Sequence, residues 1–158
     1  MKIDYSTFKR GMNYHGKVTV TEDGVPKTIT AQLQPDDEGE IHDSQKETLE
    51  MFLDNYPEYK QILLKSIFEY YQSCRDEWGD VEPDDELFPE VKDMDKISEM
   101  ISFRGLIVLD EAYSGKRAIS LFYNCTWDEE EGMGIRIALG DSVSEFRVTE
   151  IGIIGAVY

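Results

Sequence analysis

The chain has 158 residues, 41% apolar and 11% aromatic, enough to build one domain with a real core and too many for a disordered chain. With 16 Lys and Arg against 33 Asp and Glu, the formal net charge is −17. This disfavours nucleic acid and anionic membrane as direct partners and favours a basic protein partner or plain solubility. There is no apolar run of about eighteen residues to span a bilayer, and the first ten residues lack an apolar signal core, so a cytoplasmic location is expected.

Residues 1–15 show little pattern, and Tyr5, Phe8, Met12 and Tyr14 are expected to cover an edge of the core. Residues 17–22 then alternate, with Val18 and Val20 on one face. Asp23-Gly24 is a hairpin turn, and 27–33 returns with Ile29, Ala31 and Leu33 facing in. Pro35 closes this pair, and 36–40 is an acidic loop.

Ser44 to Glu47 has capping-box spacing, and Leu49, Phe52, Leu53 and Tyr56 follow at helical spacing. Pro57 ends that helix and suits the first turn of another, over 57–78. There Leu63, Ile67, Tyr70, Cys74 and Trp78 form one stripe, widened by Leu64, Phe68 and Tyr71. An arc of this width predicts deep packing against a sheet.

Gly79 stops the long helix, and 80–89, with two prolines and a run of acids, has no regular period. A short helix is expected over 93–101, burying Met94, Ile97 and Ile101. From Phe103 the strand pattern returns. The central feature is a hairpin over 119–139, with Ile119, Leu121, Tyr123, Cys125 and Trp127 facing one way and Met133, Ile135, Ile137 and Leu139 answering them. After a turn at Gly140-Asp141, 143–148 alternates and an apolar final strand or edge-covering tail follows.

Strands, then helices, then strands predict one α+β domain over 1–158. Its mainly antiparallel sheet joins an N-terminal hairpin to a C-terminal meander of about four strands, packed against two to three helices.

The long helix carries Phe68-Glu-Tyr-Tyr-Gln72. The central hairpin reads Leu121-Phe-Tyr-Asn-Cys-Thr-Trp-Asp-Glu-Glu-Glu-Gly-Met-Gly-Ile135. With the early Gly16-Lys17-Val18 strand, these segments resemble a family of small, acidic, cytoplasmic bacterial proteins of uncharacterised function. Those proteins pair a similar helix with a Cys-x-Trp-Asp-x-Glu-x-Gly-x-Gly hairpin. The resemblance spans most of the chain, and such families often look like immunity proteins of bacterial toxin systems. It implies no catalytic residues. The shared positions read as structural, with Cys125 and Trp127 inward and Gly132 and Gly134 shaping the turn.

The acid falls in three clusters. Residues 76–99 hold eleven acids and two lysines, 36–50 hold seven acids and one lysine, and 128–131 are all acidic. Each reads either as a solvated face or as a docking surface, where charge speeds encounter and apolar neighbours anchor the complex. The expected docking set is Asp80, Glu82, Asp84, Asp85, Glu86, Leu87 and Phe88 with Asp128, Glu129 and Glu130. Leu87 and Phe88 either anchor a partner or pin their loop to the core.

No metal or other cofactor is expected, because Asp-Glu-Glu-Glu-Gly lacks the alternating ligand spacing of a calcium loop. Nor is an enzyme expected: no nucleophile elbow, phosphate loop or His-Glu-x-x-His is present, and His15 and His42 both sit in expected loops. Cys74 and Cys125 read as reduced, buried thiols, with a disulfide or a reactive thiol as the alternative.

The expected function is therefore an immunity protein, monomeric or weakly dimeric. It would bind a cognate toxin domain, such as a nuclease of a contact-dependent system, or another basic protein. The alternatives are another protein-binding or regulatory module and an unrecognised hydrolase.

Overall fold

The computed structural model describes residues 3–154. Seven strands form one sheet in chain order: β1 (Lys9–Arg10), β2 (Tyr14–Glu22), β3 (Val25–Leu33), β4 (Ile101–Val108), β5 (Ala118–Cys125), β6 (Met133–Ala138) and β7 (Arg147–Gly152). Neighbouring strands run antiparallel except β3 and β4, which run parallel. The exception follows from connection length. A tight turn can only return a strand antiparallel, whereas residues 34–100 cross back over the sheet before β4 begins.

That crossover holds α1 (Asp43–Asp54), α2 (Tyr56–Trp78) and α3 (Met94–Met100), and the single turn α4 (Glu111–Ser114) follows β4. The class is α+β, as expected, but the sheet is larger than a hairpin plus four strands. β1 is too short to leave a periodic signal.

The first hairpin is as predicted. Asp23 and Gly24 both have positive φ, 52° and 78°, which suits a two-residue turn between right-twisted strands. Val18, Val20, Ile29, Ala31 and Leu33 enter the core. Their face continues through Phe103, Leu106, Ile119, Leu121, Tyr123, Ile135 and Ile137, and the helices cover it. Helix α2 lies diagonally, touching β2 at one side and β7 at the other.

Phe52, Tyr56, Tyr59, Phe103 and Tyr123 form a chain of ring contacts between helices and sheet. Two of these rings meet a buried polar set. Tyr56 Oη lies 2.7 Å from Tyr123 Oη and donates to Glu22 Oε2 at 2.8 Å, while the buried Lys60 ammonium lies 3.5 Å from Glu22 Oε2 and 3.3 Å from Asp23. Burial raises both tyrosine pKa values, so the hydroxyls stay protonated and available for these bonds.

Several local expectations are corrected. Helix α1 starts at Asp43 with His42 as its N-cap. Gln45 then takes the role expected of Glu47, its Oε1 accepting from the His42 N–H at 2.9 Å. Gln45 is itself buried and donates to Gln34 O at 2.8 Å, a tertiary bond that fixes the earlier cap.

Met12 and Met94 are exposed rather than packed. For Met94 the reason is phase: Ile97 and Met100 take the inward positions of α3, and Ile101 already belongs to β4. The last strand starts later than expected, because Val143–Glu145 forms a 3₁₀ turn and β7 begins at Arg147. The expected apolar tail lies partly outside the described residues. Both cysteines are free thiols, Cys125 buried and Cys74 half-buried. Among the described residues no helix is long and apolar enough to cross a membrane.

Candidate docking groove

The long helix outruns the sheet. Its inward face from Tyr56 to Tyr71 is buried, but by the last turn it has passed the core, and Trp78, expected to close the stripe, is 66% exposed. Gly79 then caps the helix at φ 72°, and the chain turns back along it. The returning loop would be a floppy acidic strap if nothing held it. Four backbone carbonyls hold it instead.

Arg75 donates to the carbonyls of Phe88 and Val81, Tyr71 to that of Pro89, and Gln72 Nε2 to Val91 O at 2.7 Å. Burial pushes the Tyr71 hydroxyl up to about 12, which keeps it a donor. Across the loop, Thr126 Oγ1 donates to Leu87 O at 3.0 Å and ties the strap to the central hairpin. Tyr71, Gln72 and Arg75 lie close together on the helix, but spacing alone did not reveal their shared role. Thr126 gave no signal either.

The two apolar residues of the loop part company. Phe88 is 5% exposed, edge-on to Tyr71 and Trp78 with the Arg75 guanidinium over its ring, so it pins the loop. Leu87 is 48% exposed and faces outward. Trp127, 8% exposed, packs edge-on against Tyr71 below. Gly132, with φ 65°, closes the hairpin loop and leaves no room for a Cβ against Tyr123 O.

These clamps bring two acid clusters, distant in sequence, to one place. A cavity of about 440 Å³ lies between them, floored by Phe88 and Trp127, with Trp78 and Leu87 at its lip and Asp80, Glu82, Asp85 and Glu129 around it. Asp84, Glu86 and Glu130 are exposed but lie off this lining.

Two of the expected docking acids are already used. Asp85 Oδ1 accepts the N–H groups of Leu87 and Phe88 at 3.0 and 2.9 Å. Asp128 Oδ1 accepts the Glu131 N–H at 3.0 Å, and its carbonyl takes the Gly132 N–H. Among the described residues, no Lys, Arg or His pairs with Asp80, Glu82, Asp84, Glu86, Glu129 or Glu130.

The third acid cluster, 36–50, sits at the opposite end of β4, where Gln45 Nε2 reaches Leu109 O at 3.4 Å. The histidines do not join the cysteines: His42 Nε2 lies 2.8 Å from Asp36 Oδ2, and His15 is in β2. Burial pushes the Cys125 thiol up to about 12. No group of three or more His, Cys, Asp or Glu among the described residues is arranged to hold a metal ion.

A family model described as a domain of unknown function (DUF6985) matches residues 3–152, and the chain belongs to that family. No curated protein matches the chain, and no solved structure does.

Proposed function

We propose that this DUF6985 domain is a non-catalytic binding protein that captures a basic protein partner in the groove between residues 80–90 and 128–131, and that the partner is a toxin domain which the chain neutralises. One observation carries the reading: unpaired carboxylates from two distant segments converge on an apolar cavity whose lip is an exposed Trp and Leu. Unpaired surface acids draw a cationic partner by long-range attraction, and a desolvated aromatic supplies the affinity that charge alone does not. The overall charge of −17 works in the same direction.

A non-catalytic role is supported by the buried, protonated Cys125 thiol and by His42 being engaged at a helix start.

The test is co-expression with the variable C-terminal domain of a large secreted protein encoded beside this chain, scored by growth. The wild-type chain is expected to restore growth. A variant with Asp80, Glu82 and Glu129 changed to Lys, folded by circular dichroism, is expected not to. Rescue by that variant removes the groove from the interface, and binding to no toxin domain overturns the immunity reading.

A further inference from the structure

The groove does not end at its first cavity. A second cavity of about 450 Å³ adjoins it, lined among others by Glu99, Ser102 and Asn124, and the two share Thr126 and Glu129. Their characters differ. The first is aromatic and ringed by unpaired acids. In the second, Glu99 is already 2.9 Å from Lys96 Nζ, Ser102 Oγ accepts from Lys27 Nζ at 2.6 Å, and the exposed Asn124 side chain offers both a donor and an acceptor. A compact cation would use only the first cavity, whereas the shared Thr126 and Glu129 make the two cavities reachable by one segment. An extended backbone fits both, because it presents side chains alternately and keeps N–H and C=O groups free for Asn124.

We infer that the groove reads an extended segment of its protein partner through an arginine, with the guanidinium on the Trp78 indole between Asp80 and Glu82 and the adjoining backbone crossing Glu129 toward Asn124. Arginine fits better than lysine for a physical reason. Its flat, weakly hydrated head stacks on an indole and pairs with carboxylates through a planar fork, whereas a lysine ammonium does neither as well. Trp78 is suited to this, since Phe88 meets it edge-on and most of the remaining surface is open.

The inference rests on the binding role proposed above, but its test needs no toxin. The probes are three blocked hexapeptides that alternate leucine with arginine, lysine or glutamate, titrated into the full ¹⁵N-labelled chain. Trp78 and Trp127 each give one indole N–H signal, and Trp78→Phe assigns them.

The arginine peptide is expected to move the Trp78 indole signal together with the amides of Asn124, Thr126 and Glu129, and to bind about two- to fivefold tighter than the lysine peptide. The glutamate peptide is expected to move none of them. Trp78→Ala, with the Trp127 indole and the Asn124 and Thr126 amide signals unmoved in the free protein, is expected to bring the arginine and lysine affinities together. Asp80→Asn with Glu82→Gln is expected to abolish both.

Equal arginine and lysine affinities in the wild type, shifts confined to one cavity, or no shifts each overturn the inference. Failure here with growth rescue intact leaves the proposed function standing. Peptide binding as expected with no toxin rescue overturns the immunity reading alone.

Discussion

The two ends of β4 are both acidic, yet their carboxylates do different things. At the Leu109 end several acids have an internal partner, though the Glu38, Glu40, Asp43 and Glu50 side chains do not share in these contacts. Asp36 takes the His42 ring and the N–H groups of Glu38 and Glu40, Asp37 accepts from the Tyr113 hydroxyl, and Asp110 caps α4. Asp141 lies 2.8 Å from Lys116 Nζ and 3.6 Å from Arg117 Nε, and Glu47 lies 3.6 Å from the other side of the same guanidinium. At the Ile101 end Asp85, Asp93 and Asp128 serve the backbone and Glu99 meets Lys96, but among the described residues Asp80, Glu82, Asp84, Glu86, Glu129 and Glu130 have no cation. A tally of charge along the chain does not separate these cases, because the acid clusters at both ends are strongly net negative. What separates them is whether the fold supplies a partner.

The sharpest way to break this comparison is to remove what holds the unpaired end in shape. Trp127→Ala empties the floor of the groove, and we expect a loss of about 3–5 kcal/mol in denaturant unfolding. A loss under about 1 kcal/mol would mean that the hairpin does not support the loop.

At the paired end, Arg117→Ala removes a guanidinium that also donates to Thr48 Oγ1 at 2.9 Å, from a backbone held at φ 54°. We expect a cost of about 1–3 kcal/mol. An unchanged midpoint would show that these pairs are as idle as exposed ones.

Charge reversal at Asp80, Glu82 and Glu129 should change stability by no more than about 0.5 kcal/mol, while slowing association with a basic partner by roughly tenfold at low salt. Asp85 is left out because its side chain builds the loop. Stopped-flow kinetics at two ionic strengths would decide this, and an on-rate independent of salt would remove steering.

The smallest effects come with pH. Hydrogen bonds from the Glu40 and Glu38 N–H groups and His42 hold Asp36 below the ordinary aspartate value of 3.8, and Lys116 and then Arg117 do the same for Asp141. A depressed carboxyl stabilises the fold above its unfolded pKa, and that contribution is lost as pH falls through the lower folded value. Both side chains should therefore remain ionised below 3.8 in a carbon-detected NMR titration. Titration at 3.8 or above would count against the pairing.

Much of this architecture was legible before any coordinates. Asp23-Gly24 fixed one hairpin, the apolar alternation around Leu121 and Ile135 fixed another, and Pro57 marked the junction of two helices. The parallel meeting of β3 and β4 was not legible, since periodicity says which face is buried but not which strand lies alongside. Trp78 was misread because helical spacing continues past the point where the sheet beneath ends. Residues of both acid clusters were placed in one expected docking set from the sequence, but what holds the clusters together was not legible. It depends on Thr126, Tyr71, Gln72 and Arg75 bonding to carbonyls, and a carbonyl has no sequence signature.

The single parallel junction also bears on how the chain assembles. Strands β1 to β3 and β4 to β7 are each made of near neighbours in sequence, so each block can zip locally, whereas β3 and β4 must find one another across residues 34–100. Loop closure over that span is the costly step, and non-local pairings of this kind set folding speed. The amide protons of the Thr30–Leu33 and Gly105–Val108 ladder should thus be the last to gain protection in pulsed hydrogen exchange, after both antiparallel blocks. Asp80, Glu82 and Asp85 lie in that crossover and Glu129 in the loop after β5, so the groove would meet a partner only once the crossover had docked on the second block.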